Sequence, residues 1–109
     1  MWILTTFGFF SVVTNRSDPT KLMVRGRVRD DLVKFVRRAK VAADVIETKA
    51  ADYRYRVILD RKVVARVIYR ALKRVDYSNF KSRVEDRQGV ARHDVYMDVW
   101  AVLRRLPNK

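Results

Sequence analysis

Lys62, Arg66, Arg70, Lys73 and Arg74 recur at i, i+4, i+8, i+11 and i+12, a spacing that sets five cations on one face of a helix. No acid falls between Arg61 and Val75. A merely solvated helix interleaves Glu with Lys or Arg, because opposite charges four residues apart stabilise it by about 0.2–0.5 kcal/mol and like charges cost a similar amount. The chemistry that suits an uncompensated ladder is a grip on phosphates, whose oxygens accept from ammonium and guanidinium donors. A solvated face is the plainer alternative.

A second basic set is Arg25, Arg27, Arg54 and Arg56, which alternate with apolar residues as strand positions do. If the apolar residues point inward, all four guanidiniums project from the open side of a sheet. Beside exposed aromatics they would make a stacking platform for single-stranded bases. Phe7 and Phe9 share a strand face and would join that platform, unless they are core residues, the usual place for aromatics. The string Phe7-Gly8-Phe9-Phe10 resembles the F-G-F centre of the RNA-recognition motif. Thr5 and Thr6 replace its leading basic residue and first Gly, and the string lies on the first strand rather than the third, so that family is not assigned.

Other chemistry is thin. His93 is the only histidine and stands beside Asp94, but no Ser has a recognisable partner arrangement, and a surface or capping role is the plainer reading. Asp94 and Asp98 share a helix face, yet two carboxylates rarely hold a divalent ion, and Arg92, Arg104 and Arg105 are near enough to pair with them. A small nuclease acting through His93 or this Asp pair is the third-ranked reading. The absence of Cys excludes disulfides and thiolate zinc, and there is no phosphate-binding glycine loop or dinucleotide fingerprint. The sequence therefore leads us to expect no catalytic residue, no metal and no cofactor.

The elements that must position the cations follow from length, charge and periodicity. A chain of 109 residues with 49% apolar side chains is expected to be one basic α+β domain, residues 1–109, with its own core. Twenty-five Lys and Arg against twelve Asp and Glu give +13, a field that attracts polyanions. Residues 21–41, with eight cations and two acids, carry +6, and residues 53–83, with ten and two, carry +8. The ends are nearly neutral.

Residues 2–13 read as one buried strand, too short to span a bilayer and lacking the flanks of a secretory signal. Asp18-Pro19 marks a turn, and Lys21–Val28 alternates as a half-exposed strand. A helix starts near Asp30, with Leu32, Val33, Phe35 and Val36 inward, acids in its first turn and Arg37, Arg38 and Lys40 near its end, all matching the helix dipole. Val45–Thr48 reads as a short strand and Asp52–Asp60 as a longer one with Tyr53, Tyr55, Val57 and Leu59 on one side. Asp60 is positioned to cap the helix Arg61–Val75, whose expected core stripe is Val64, Val67, Ile68, Ala71, Leu72 and Val75. Asp76 or Ser78 would cap a third helix ending near Gly89. The last helix, Arg92–Leu106, has a broad apolar side of Val95, Tyr96, Val99, Trp100, Leu103 and Leu106, more core than ligand site, with a partner or dimer interface as the alternative.

The order β-β-α-β-α-α-α predicts a small antiparallel or mixed sheet of three or four strands covered on one side by helices, loosely ferredoxin-like. Gly8-Phe9-Phe10-Ser11, Val24-Arg25-Gly26-Arg27, Asp52-Tyr53, Tyr77-Ser78-Asn79-Phe80-Lys81, Arg87-Gln88-Gly89 and Val95-Tyr96-Met97-Asp98-Val99-Trp100 together resemble a group of small uncharacterised bacterial or phage proteins of about 110 residues. That resemblance implies a bacterial or phage origin and no activity. The expected role is a non-catalytic, cytoplasmic nucleic-acid binder, for DNA or RNA. The alternative is a protein-interaction module, such as a phage host-takeover modulator or an assembly subunit, that grips an acidic partner. No membrane is expected as a partner.

Overall fold

The computed structural model describes residues 1–108, which fall into two compact units, Met1–Val75 and a second from Asp76 on. In the first unit five strands form one sheet: β1 (Trp2–Thr5), β2 (Gly8–Thr14), β3 (Lys21–Gly26), β4 (Ile46–Glu47) and β5 (Tyr55–Asp60). Their order is β1-β2-β3-β5-β4 and every neighbouring pair is antiparallel. Helices α1 (Arg29–Ala39) and α2 (Arg61–Lys73) pack on one face. The α+β class and helix-covered sheet therefore stand, but with five strands, and the loosely ferredoxin-like order is met only roughly.

The additional strand comes from residues 2–13, which form a hairpin and not one strand. Thr5 makes the turn: its hydroxyl donates to the Gly8 carbonyl at 2.8 Å and accepts from the Phe7 N–H at 3.1 Å. Gly8 is required because a Cβ there would sit 2.7 Å from Phe10 Cζ and 2.8 Å from Asp31 Cβ. The turn breaks the expected pairing of Phe7 with Phe9. Phe7 is buried against Phe10, at 5.6 Å between rings, while Phe9 stays half-buried near Trp2 and Tyr53.

Period-two alternation aims Phe10, Val12, Val24, Val57 and Leu59 at the helices, where they meet Leu32, Phe35, Val64 and Val67. Asp31 is buried among them and accepts the Phe9 N–H at 3.0 Å, tying the first turn of α1 to β2. Asp60 does not cap α2 through its side chain; it takes the Lys21 ammonium at 2.7 Å instead. The core stripe of α2 is also narrower than expected. Val64 and Val67 are buried and Ile68 and Ala71 partly so, but Leu72, past the edge of the sheet-facing arc, and Val75, beyond the end of the helix, are exposed.

The second unit holds α3 (Phe80–Gln88) and α4 (Val90–Leu103). Asn79, rather than Asp76 or Ser78, caps α3 by accepting the Ser82 N–H at 3.0 Å. Gly89 at φ 91° joins the helices in a conformation that L side chains rarely adopt. Val84 and Tyr96 are buried, and Phe80 stacks on Tyr96 at 5.7 Å. Val95, Trp100, Leu103 and Leu106 are exposed, contrary to the core side expected for them. Apolar residues occur all round α4, so periodicity could not define an inward face.

Candidate nucleic-acid interface

On α2 the apolar positions Val64, Val67, Ile68 and Ala71 fix which arc faces the sheet, and the five cations lie to one side of it. Lys62, Arg66, Lys73 and Arg74 are exposed and Arg70 is half-buried. At about 100° per residue the five span roughly a third of the helix circumference. None of the five is in an ion pair among the described residues. Acids neutralise other cations instead: Asp60 on Lys21, Asp52 on Arg27, Asp30 on Lys34, Glu47 on Arg54 and Asp76 on Arg83, at 2.7–3.3 Å. Lys73 extends over the Tyr69 ring at 5.6 Å, which holds it on the surface without masking its charge.

The ladder is not uniform. Arg70 and Arg74 turn toward α1 and line a groove of about 380 Å³ with Lys34, Arg37, Arg38 and Lys40. The groove was not legible as such in the sequence, where the α1 cations read as complements to a helix dipole. Their spacing was the available signal, because Lys34, Arg37 and Arg38 stand at i, i+3 and i+4.

The four sheet arginines divide into two kinds. Arg25 and Arg56 are directly opposite one another on β3 and β5, so both side chains leave the sheet face away from the helices. Arg25 Nη2 donates to the Ser11 hydroxyl at 2.7 Å, and Arg56 Nη2 donates to the Tyr53 carbonyl at 3.3 Å. The Nε of each is buried without a hydrogen-bond partner. Like charges facing across a ladder are destabilising, and neither arginine is in an ion pair among the described residues. Arg27 and Arg54 lie outside the strands, and each has an acid.

Tyr53 also precedes β5 and does not join the inward row expected for it. Its buried ring lies 4.6 Å from both the Arg25 and the Arg27 guanidinium carbons. Phe9 stands 6.4 Å from that ring, and Trp2, 73% exposed, stands 6.4 Å from Phe9. Three aromatic rings thus run in succession on this face, and two guanidiniums meet the last of them, Tyr53. Sequence reasoning missed Tyr53 because the strand begins at Tyr55, three residues later than the expected Asp52.

The Arg27–Asp52 contact at 2.7 Å holds the Asp52 carboxyl below its ordinary value of 3.8 and pushes the Arg27 guanidinium further up. In each case the side-chain hydrogen bond is the main cause. His93 Nδ1 lies 3.1 Å from Asp94 Oδ1. No cluster of three or more metal-ligating side chains occurs among the described residues, and no helix there is long and apolar enough to cross a membrane. Comparison with family models, curated proteins and solved structures finds no match, so the reading of these surfaces rests on their geometry and charge.

Proposed function

We propose that this protein binds nucleic acid without catalysing a reaction on it. Lys62, Arg66, Arg70, Lys73 and Arg74 hold backbone phosphates, and Arg25, Arg27, Arg54 and Arg56 form a second basic surface beside Tyr53 and Trp2. The observation that carries this reading is that, among the described residues, none of the five α2 cations is in an ion pair, in a unit whose acids neutralise other cations. An uncompensated ladder suits a polyanion better than water alone, since each phosphate neutralised releases condensed counterions. The place of work in this proposal is the cytoplasm of a bacterium or phage-infected cell, consistent with a chain free of Cys.

The test is a binding titration at several salt concentrations. Affinity should fall with a log–log slope near −0.9 per duplex phosphate contacted, or about −0.7 on single strands. Replacing Arg66, Arg70 and Arg74 together by Glu should abolish binding while the thermal midpoint stays close to that of the parent. A triple variant that binds like the parent would remove α2 from the interface.

A second reading, a module that grips a protein partner, is favoured by the exposed Val95, Trp100, Val102, Leu103 and Leu106 of the second unit. It predicts a stoichiometric protein complex and no salt-sensitive retention of nucleic acid.

A further inference from the structure

We propose that the groove between α1 and α2 is a seat for phosphoryl oxyanions, holding consecutive backbone phosphates of one strand; this rests on the nucleic-acid reading above. Six cations from two helices line it: Lys34, Arg37, Arg38 and Lys40 on one wall, Arg70 and Arg74 on the other. Val67 and Ala71 lie between them and give a short apolar floor. Ligand sites run from roughly 300 to 1,000 Å³, so about 380 Å³ is the size of a small ligand group and more than a dent between side chains.

The bland account of these charges is that they complement helix dipoles, since both walls come from the C-terminal halves of their helices. Magnitudes decide against it. A helix C-terminus carries about half a negative charge, so two such ends offset roughly one of the six cations. Asp30 pairs with Lys34 at 3.3 Å. Arg37, Lys40, Arg70 and Arg74 are in no ion pair among the described residues. Four charges of one sign therefore share a small concave space without a counter-charge, and concavity focuses their field outward.

The walls are also held in advance. Arg38 lies 4.1 Å over the centre of the buried Phe7 ring. Lys40 occupies the left-handed C-cap of α1, where its N–H donates to the Arg37 carbonyl at 3.3 Å. A ligand entering here has less side-chain and backbone freedom to quench than on an open helix. Lys62 and Arg66 lie outside the groove on the open part of α2, so equal changes of charge at the two places should have unequal effects.

Two double variants carry the test: Arg37→Gln with Lys40→Gln, and Lys62→Gln with Arg66→Gln. Each removes two positive charges from exposed positions, and thermal melts establish that both remain folded. On a fluorescent single-stranded oligonucleotide the groove pair should lose at least about tenfold in affinity and flatten the salt slope by more than one unit. The open-face pair, which also holds phosphates, should lose affinity and salt slope as well, but several-fold less than the groove pair. Equal losses from the two pairs would overturn the groove and leave the nucleic-acid reading intact.

If the parent binds no nucleic acid, the nucleic-acid reading fails, and sodium tripolyphosphate followed by amide NMR tests the groove separately. Saturable shifts confined to residues 34–40 and 70–74, abolished in the groove pair, would make a free phosphorylated compound the occupant. Shifts spread over the whole first unit, or none, would overturn the seat.

Discussion

Asp52 and Asp31 show how differently two carboxylates act in the same unit. Asp52 is exposed and bound to Arg27 through a hydrogen bond that depresses its carboxyl below 3.8. A depressed acid contributes whatever stability it has above its unfolded value, and that is lost as pH falls through the folded one. The contribution of this pair should thus be complete above about pH 4 and fade below it. The expected NMR titration midpoint of Asp52 lies under 3.8, and Arg27→Gln should return it to the ordinary value; a midpoint unmoved by that change would mean the contact does not persist in solution. Asp31, by contrast, is 3% exposed and accepts the Phe9 N–H. Asp31→Ala would strand that buried donor at a cost of about 1–3 kcal/mol in chemical denaturation. Asp31→Asn, which keeps an acceptor, should cost less, and equal losses would mean that charge rather than the hydrogen bond matters. The sequence placed Asp31 correctly in the first helical turn, but its partner lies 22 residues upstream and no local pattern announces it.

At the scale of elements, legibility followed the strength of periodicity. Lys21–Gly26 and Tyr55–Asp60 alternate cleanly and appear as strands within the expected spans, and α1 and α2 start within a residue of where their patterns begin. Residues 2–13 are apolar nearly throughout, so the hairpin depended on the Thr5 hydroxyl and on space for a glycine, neither of which alternation reveals. The same blindness hid the groove. Each helix pattern gives its own inward arc, while a groove depends on how two helices are juxtaposed. That juxtaposition is sensitive to Gly26, where a Cβ would strike Leu32 Cδ2 of α1. Leu32 is fully buried and has no room to yield. Gly26→Ala should therefore destabilise the unit by about 1–3 kcal/mol through overpacking. The denaturation midpoint would fall with an unchanged m-value. A neutral outcome would mean that α1 shifts freely on the sheet, which would also loosen one wall of the groove.

On the scale of the whole molecule, the charge is concentrated in the first unit, while both units expose large apolar side chains. Residues 1–75 hold 18 cations and 7 acids, a net +11, whereas residues 76–109 hold 7 and 5, a net +2. Exposed Trp100, Leu103 and Leu106 belong to the less charged part. Salt acts oppositely on the two kinds of surface. The Debye length shrinks from about 10 Å at 0.1 M to about 3 Å at 1 M, so phosphate contacts weaken, while apolar burial is not screened and survives. Protein taken from cells at low salt should carry nucleic acid, visible as a raised 260/280 nm absorbance ratio, and should release it in about 1 M NaCl as counterions are restored. A partner held through α4 should instead remain bound in that wash and leave when Trp100 and Leu103 are both replaced by Ser. Absorbance that falls to a protein-only ratio with salt, in parent and Trp100/Leu103 variant alike, is the outcome expected of a phosphate-binding first unit. A ratio indifferent to salt, with loss of a protein band in the variant, would transfer the function to the second unit and leave the +11 of the first as bulk charge.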